Sequence, residues 1–587
     1  MKERAAVKAV MKISMASDLA ERVHRAWGES PFYQSKLKGP APDRFLHRPD
    51  DPYTPDRAQG LSLAKGRIEA GRETLDCEGE LNRAFDTAPR GGALHDFLHG
   101  FQWLRPLATL GAEGRDPAMT LARAWFAAHE KWSSESWTAG LTADRLSALC
   151  CHGDLILPQG DAPWRSRVLT SMARQTRHLA HTGHRADGAD DRLNAALSLC
   201  LAGSCLPACS EALERGFEIL RRELRLQMRI DGGHISRNPS RQLEIVVRLR
   251  MIVAALDANK RATPGFLSHL LGRARAHLDL FRLGDGRLAL FNGASEGDGR
   301  ALAAALQRSG GEEAPTGFAK RSGFQRLEAA RTVLVADVGA AAGEVTAQEE
   351  YDGLGSFHLA SGKCRIVVNC GAGDHLSGGW GEALRLAAAH STISSETLGP
   401  LKGAAAGHRR AEDNDGQLLE LERPLIGPIG GAFNPSHATL SQPARGRQPP
   451  RGRQRARIDS AAQRAGGARH RRRFYLEASG GDLRGRDELI GVSKALAADW
   501  RLRFHLHPGV KASLARDGRS VLLALPNREG WRFRSNCKAL SIEKSLYVGA
   551  GGEPTPSEQI VLSGDGLDLD GPSDIVVKWG FQRISDA

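Results

Sequence analysis

Between two helix-like runs the chain reads DGGHISRNPSRQLE at positions 231–244, a short loop crowded with side chains able to do chemistry. His234 carries an imidazole that gains or loses a proton near neutral pH, so it can transfer protons or hold a ligand; the alternative is a turn histidine bonded to a nearby carbonyl. Arg237 and Arg241 put two cations within five residues, suited to an acidic chain or simply to solvent. Asn238 precedes Pro239 and is biased to extended backbone, which serves either a helix cap or a side chain aimed into a groove. Glu244 falls in the first turn of the next helix, where the helix dipole favours a carboxylate.

Other candidates carry less. His505 and His507, in RFHLHP, alternate like a metal pair, but no acidic motif accompanies them and packing is the preferred reading. The nine cysteines are odd in number and include no CxxC pair, which argues against both a disulfide framework and structural zinc. Cys200, Cys205 and Cys209 lie in an apolar stretch and read as buried thiols. No metal and no cofactor is expected. Trp103 and Trp125 could stack on sugar rings, although helix-core packing is the stronger alternative.

The elements that must position these residues follow from periodicity. In EALERGFEILRRELRLQM (211–228), Leu213, Phe217, Leu220 and Leu224 recur at helical spacing, and similar patterns occupy MTLARAWFAAHEKW, RLNAALSLCLAG and RQLEIVVRLRMIVAAL. After about residue 318 the period changes to two, as in TVLVADVG and RIVVNCG. In 510–535, Asp517-Gly518 and Glu529-Gly530 sit where hairpin turns are needed. Helices first and strands second imply a multidomain α-then-β chain with an antiparallel sheet and no parallel βαβ unit. The expected divisions are an irregular lead-in over 1–90, a helical domain over 91–315 and a β domain over 316–587.

Within the last of these, 400–470 fits neither period. Its Ala, Gly, Arg, Gln and Pro content points to disorder or to a compensated reading-frame change. The segment 445–473 holds eleven arginines and one aspartate, so it carries ten of the chain's thirteen net positive charges. One basic run in an otherwise near-neutral protein does not make the fold a nucleic-acid binder. No apolar run is long enough to span a membrane, and charges interrupt the amino-terminal MKERAAVKAVMKISMASDLAERV, which lacks the pattern of a secretory signal. A cytoplasmic location is expected on that ground.

Taken in order, LHGFQWLRPL, RLNAALSLCLAG, DGGHISRNP, FRLGDGRLALFNG, SFHLASGKCRIVVNCG, AAHST, RRFYLEASGGDLRG, RFHLHPGVKASL and LPNREGWRFRS resemble the heparinase II/III-like family of bacterial polysaccharide lyases. The resemblance implies an incomplete (α/α) toroid followed by an antiparallel β-sandwich. It also implies a carbon-oxygen lyase that cleaves an acidic, uronate-containing glycan, such as heparin or heparan sulfate, by β-elimination. A base removes the C5 proton, the uronate carboxylate is neutralised, and an acid protonates the departing O4.

On that resemblance Asn194, in RLNAALS, stands near the amide or imidazole that relatives use to bind the carboxylate; a helix-start asparagine bonded to backbone is the alternative. His390 of AAHST matches a histidine that opens an HNT-like motif in the family. Two family positions differ here: Arg241 falls where relatives carry a tyrosine after the DG loop, and Tyr351 of YDGLGSFH falls where they carry a histidine. A tyrosine can move protons when its pKa is lowered, so Tyr351 is the candidate replacement. The family's metal positions read Tyr351-Asp352-Gly353, Asn369 and His390, too poor a set for zinc. The expected catalytic residues are therefore Asn194, His234, Tyr351 and His390, with Arg237, Asn238 and Arg241 binding an acidic polysaccharide. The missing positions also suit a catalytically weakened carbohydrate-binding protein on the same fold. Polymer lyases are expected outside the cytoplasm, and a misassigned start would reconcile this chain with a periplasmic location.

Overall fold

The computed structural model describes residues 26–307, 317–339, 351–373, 375–376, 378–395, 407–412, 415–424, 468–492, 494–549, 552–564 and 573–585. The amino-terminal stretch examined for a secretory signal lies outside the described residues. Two compact units divide the chain: Met1–Gln227 with Ile245–Leu271, and Met228–Glu244 with Gly272–Ala587. The second unit thus includes the DGGH loop, a segment that the sequence-based division put with the helices.

Among the described residues seven longer helices carry the helical half: α1 (Arg115–His129), α2 (Ala139–His152), α3 (Ala162–Thr182), α4 (Ala189–Cys205), α5 (Ser210–Gln227), α6 (Pro239–Ala258) and α7 (Gly265–Leu280). Side-chain caps start α2 and α3, with Thr138 accepting from Leu141 N–H and Asp161 from Trp164 N–H. On α5 the spaced Leu213, Phe217, Leu220 and Leu224 are all buried. Helix α4 packs against α2 and α5, and small residues bring α4 and α5 close. A Cβ on Gly203 would lie 2.8 Å from Leu213 Cβ, and one on Gly216 would lie 3.0 Å from Cys200 Sγ. Cys200, Cys205 and Cys209 are buried free thiols, and Trp103 and Trp125 are core residues with no exposed surface. Residues 26–90 are less irregular than expected. They contain helices Pro31–Lys36, Arg57–Ala64 and Ala84–Thr87 and a hairpin of β1 (Arg67–Ala70) with β2 (Glu73–Asp76). Their turn-forming clusters punctuate short elements instead of replacing them.

The β half is a sandwich. One sheet runs β14 (Lys511–Leu514), β15 (Ser520–Ala524), β16 (Gly530–Ser535), β19 (Ser573–Ser585), β12 (Asp482–Val492), β11 (Arg469–Glu477), β10 (Gly416–Pro424), β9 (Gly407–Glu412). The other runs β17 (Ala539–Tyr547), β18 (Thr555–Ser563), β13 (Arg501–Leu506), β7 (Cys364–Val368), β6 (Phe357–Ser361), β5 (Thr332–Asp337), β4 (Phe324–Ala329), β3 (Phe318–Ala319), with β8 (Ile393–Ser394) beside β13. Every ladder among the described residues is antiparallel. Apolar side chains from both sheets form one core, in which Phe357 stacks on Trp579 with centroids 5.6 Å apart.

Strand β11 corrects the reading of 445–473 as one basic run. Along it the odd-numbered arginines face outward, where Arg469 and Arg471 pair with Glu422, and Arg473 with Glu420, at 2.7–3.1 Å. The even-numbered His470, Arg472, Phe474 and Leu476 are buried. Arg472 and Asp487 face each other across β11 and β12. The Arg472 guanidinium donates to Asp487 at 2.7 and 3.2 Å, and His470 and Trp579 reach the same carboxylate at 2.6 and 2.7 Å. Its remaining amino group donates to Gly355 O at 2.7 Å and Ser391 O at 3.0 Å. Burial opposes the Asp487 charge, but Arg472 and His470 outweigh it and hold the carboxyl far below its ordinary range. The rest of the basic run, 445–467, lies outside the described residues. Within 400–470, β9 and β10 are ordered strands of the sheet, so the β pattern extends further than composition suggested.

One hairpin turn is shifted. Arg528, not the Glu529-Gly530 pair, takes the left-handed position at φ 69°, closed by Arg528 N–H to Leu525 O at 2.9 Å. Glu529 is instead buried and accepts from Ser361 at 2.9 Å and Trp531 at 3.1 Å.

Two predictions follow from these buried charges and imidazoles. Replacing Arg472 by Met leaves Asp487 without its main counter-charge and should cost about 3–5 kcal/mol in urea denaturation. Burial pushes His358 and His505 down to about 3 and His277 to about 4. The unfolded chain therefore takes up these protons first, so their contribution is full above the ordinary histidine range and is lost as pH falls toward 4. The urea midpoint should drop steadily between pH 7 and 4.5, with a shallower slope in His358→Asn.

Candidate active site

The DGGH loop is built as a latch within the β unit. Asp231 accepts from Arg321 N–H, Ser322 N–H and the Ser322 hydroxyl at 2.7–2.8 Å. Burial opposes its charge, but His277 and these donors prevail and the carboxyl sits below its ordinary range. Arg237 adopts the left-handed region, φ 55°, and turns its buried guanidinium onto Ser322 O at 2.9 Å and into an ion pair with Asp337. Arg237 was expected to bind substrate charge. It is committed instead to Asp337, because a buried carboxylate needs a partner cation.

Asn238 accepts from Ser240 N–H at 2.8 Å and Arg241 N–H at 3.1 Å, so it caps α6 and is not a groove ligand. Its amide donates to Asn292 O at 2.9 Å, and Asn292 donates back to Arg237 O at 3.0 Å. Arg241 donates to Glu244 one turn on at 2.6 Å, which gives Glu244 a partner besides the helix dipole.

His234 is buried, its backbone N–H given to Gln242 Oε1 at 2.9 Å. Nδ1 receives the Ser236 N–H at 3.2 Å and lies 2.8 Å from the Ser236 hydroxyl. A nitrogen that accepts a backbone N–H carries no proton, so the neutral ring holds its proton on Nε2. His390 has the opposite tautomer. Its Nδ1 lies 2.9 Å from Leu386 O, an acceptor only, which leaves the lone pair on Nε2. Burial lowers its pKa, against the opposing effects of Leu386 O and Asp337, and keeps it neutral.

Tyr351 meets His390 edge-on at 6.2 Å, and Arg385 lies 5.8 Å from the tyrosine ring centre. A Cβ on Gly293 would lie 2.7 Å from the Tyr351 hydroxyl, and one on Gly353 would lie 2.8 Å from the His390 ring. The turn at Asn292-Gly293 therefore touches the DGGH loop on one side and Tyr351 on the other. Tyr351 and His390 meet each other, and the turn joins Tyr351 to the loop that carries His234; of the three, only Tyr351 is less than fully buried.

Asn194 belongs to the helical unit, on the second turn of α4, and caps nothing. Its amide donates to Asp144 at 3.0 Å, and its carbonyl accepts from Arg248. Arg248 also reaches Ser198 at 3.3 Å and Asp144 at 3.7 Å. Sequence reasoning missed Arg248, which with Arg250 interrupts the apolar run of α6. Missed too was Arg472, whose place on the buried alternation of β11 was the available signal.

The positions matching the family's metal ligands have other partners. Asn369 gives its amide to Leu290 O at 2.8 Å and its carbonyl to Ser391 N–H at 2.9 Å, and Asp352 is set by Arg385 O, which its N–H meets at 2.8 Å. Among the described residues no cluster of three His, Cys, Asp or Glu could hold a metal ion. His505 lies 2.7 Å from Ser545 and 3.0 Å from Ala388 O, each ring nitrogen taken by a packing partner.

The described residues thus combine a helical half, an antiparallel β-sandwich and a Tyr–His pair beside the turn that meets the DGGH loop. Residues 312–579 match the family model described as heparinase II/III-like, C-terminal. The crystal structure of heparinase III aligns with a TM-score of 0.65 and 15% identity over 90% of this chain and 85% of that one. Heparan sulfate lyase HepC from Pedobacter heparinus aligns with a TM-score of 0.56 and 14% identity over 94% and 87%. The shared fold is the (α/α) toroid followed by a β-sandwich. FtsZ-localized protein C of Caulobacter vibrioides is 27% identical over 553 residues, covering 92% of this chain and 91% of the relative.

Gly293, at φ 78°, tests the contact that links the loops. Gly293→Ala must strain the backbone and displace Tyr351, whereas Gly286→Ala, at φ 75° with nothing within 4 Å of its added Cβ, carries only the backbone penalty. Thermal denaturation should show Gly293→Ala less stable than Gly286→Ala by about 1–2 kcal/mol.

Proposed function

We propose that this chain is a polysaccharide lyase acting on an acidic, uronate-containing glycan. The observation that carries the reading is Tyr351, held edge-on by a neutral His390 and against the turn that anchors the DGGH loop. In the elimination a base takes the C5 proton, the released electron pair becomes the C4–C5 double bond, the C4–O4 bond breaks, and O4 receives a proton. Tyr351 is the proton-transfer group that meets substrate, and His390 fixes the orientation of its ring. His234 contributes its Nε2 proton on the leaving side. Within the helical unit, Asn194 and Arg248 together hold the planar carboxylate of Asp144, the kind of anion that a uronate presents. Arg241 adds positive charge near the loop.

The unsaturated uronate product absorbs in the ultraviolet, which allows a direct assay against heparan sulfate, chondroitin and polygalacturonate. Tyr351→Phe should lower kcat by about 10²–10⁴ with KM little changed. Folded wild-type protein that yields no unsaturated product on any polymer would sink the reading.

A second reading is favoured by FtsZ-localized protein C, which matches nearly end to end at a higher identity than the lyases do. The chain would then be a glycan-binding protein without turnover that gathers with FtsZ. Glycan binding untouched by His234→Ala, together with co-pelleting on FtsZ polymers, would favour it over the lyase.

A further inference from the structure

The outward face of the eight-stranded sheet holds a groove of about 460 Å³ that the elimination chemistry does not use. Strand register explains its composition. Arg473 on β11 stands opposite Arg486 on β12, which stands opposite Lys578 on β19. In the next row Tyr475, Arg484, Gly580 and Arg534 follow one another across β11, β12, β19 and β16. Because outward residues alternate with core residues, five cations and a tyrosine are gathered on one patch.

Three of the cations have carboxylate partners: Arg473 with Glu420 at 2.7 Å, Arg484 with Asp482 at 2.6 Å and Arg486 with Glu488 at 2.6 Å. Arg534 and Lys578 are exposed and make no ion pair within 4 Å among the described residues, and the Arg534 charge helps to lower the pKa of exposed Asp517, so the positive charge of the patch is only partly offset. Gly580 leaves the floor open between Arg484 and Arg534. A Cβ there would make a tight contact with Leu483 O at 3.3 Å but would meet no side chain within 4 Å. Tyr475, with Arg484 5.9 Å from its ring centre, and Leu418 add flat and apolar surface beside the charges.

We propose that this groove is a second, non-catalytic binding site for an acidic glycan. Its cations would hold carboxylate or sulfate groups, while the tyrosine face and the arginine stems take the apolar side of a sugar ring. A groove in which Tyr475 is the outward-facing ring and Trp579 is buried beneath fits one or two sugar units better than the successive stacked bases of a single-stranded nucleic acid. The choice of an acidic glycan rests on the lyase-type reading given above, but the site needs no catalysis to operate.

The test uses the full chain carrying Tyr351→Phe, so that substrate is not consumed, and titrates a heparan sulfate octasaccharide by calorimetry at several salt concentrations. Arg534→Ala with Lys578→Ala should weaken binding about tenfold and flatten its salt dependence by roughly two counter-ions. Gly580→Val should weaken binding without removing any charge. In the otherwise wild-type chain, the same substitutions should leave turnover of a tetrasaccharide unchanged. Affinity unchanged in both variants, failure of the parent chain to bind the octasaccharide, or tighter binding of oligodeoxythymidylate would each overturn the proposal. If instead binding responds as expected but no chain yields unsaturated product, the lyase reading fails and the groove stands.

Discussion

The pairing of Arg472 with Asp487 is the constraint on which the candidate site depends. Two charges facing each other across neighbouring strands, with no exposed surface, are tolerable only because every polar atom near them has a partner. His470 and Trp579 complete the carboxylate's shell, and the guanidinium's spare donors reach Gly355 O and Ser391 O. Those carbonyls belong to the turns that follow Tyr351 and His390. A single cation in the sheet core thereby fixes two loops that sequence order separates by nearly forty residues. Asn369 reinforces one of them by receiving the Ser391 N–H, which leaves that side chain no freedom to act as a metal ligand.

Much of this architecture was legible in the residues. Helical spacing located the buried stripe of α5, alternation located the strands, and the change from one period to the other gave the α-then-β order. What escaped depended on partners distant in sequence. Arg472 read as one more arginine in a basic run because composition counts charges without asking which face of a strand they occupy. Arg237 read as a substrate ligand because Asp337, its counter-charge, lies a hundred residues away. The turn before β16 was assigned to the glycine, whereas the structure places Arg528 in the left-handed position, a choice that tertiary contacts around buried Glu529 impose.

The site itself was legible in its residue types but not in their states. His234 and His390 were both recognisable as imidazoles of interest, and nothing in sequence distinguishes their tautomers. A backbone N–H directed at one ring and a carbonyl at the other give them opposite proton inventories, one a donor at Nε2 and the other an acceptor there. Tyr351 stands beside the acceptor. The candidate site thus holds one imidazole of each kind.

The DGGH segment has a further consequence for how this protein is divided. Met228–Glu244 comes from the middle of the helical sequence, yet its Asp231 fastens the Arg321-Ser322 turn and its Arg237 neutralises Asp337. The β half is therefore not a contiguous genetic module. A gene fragment beginning at its first strand would encode every strand of the sandwich but omit the strap that satisfies one of its buried carboxylates. Recombination at the apparent border between helices and strands would exchange an incomplete object, which binds the two halves into a single heritable unit.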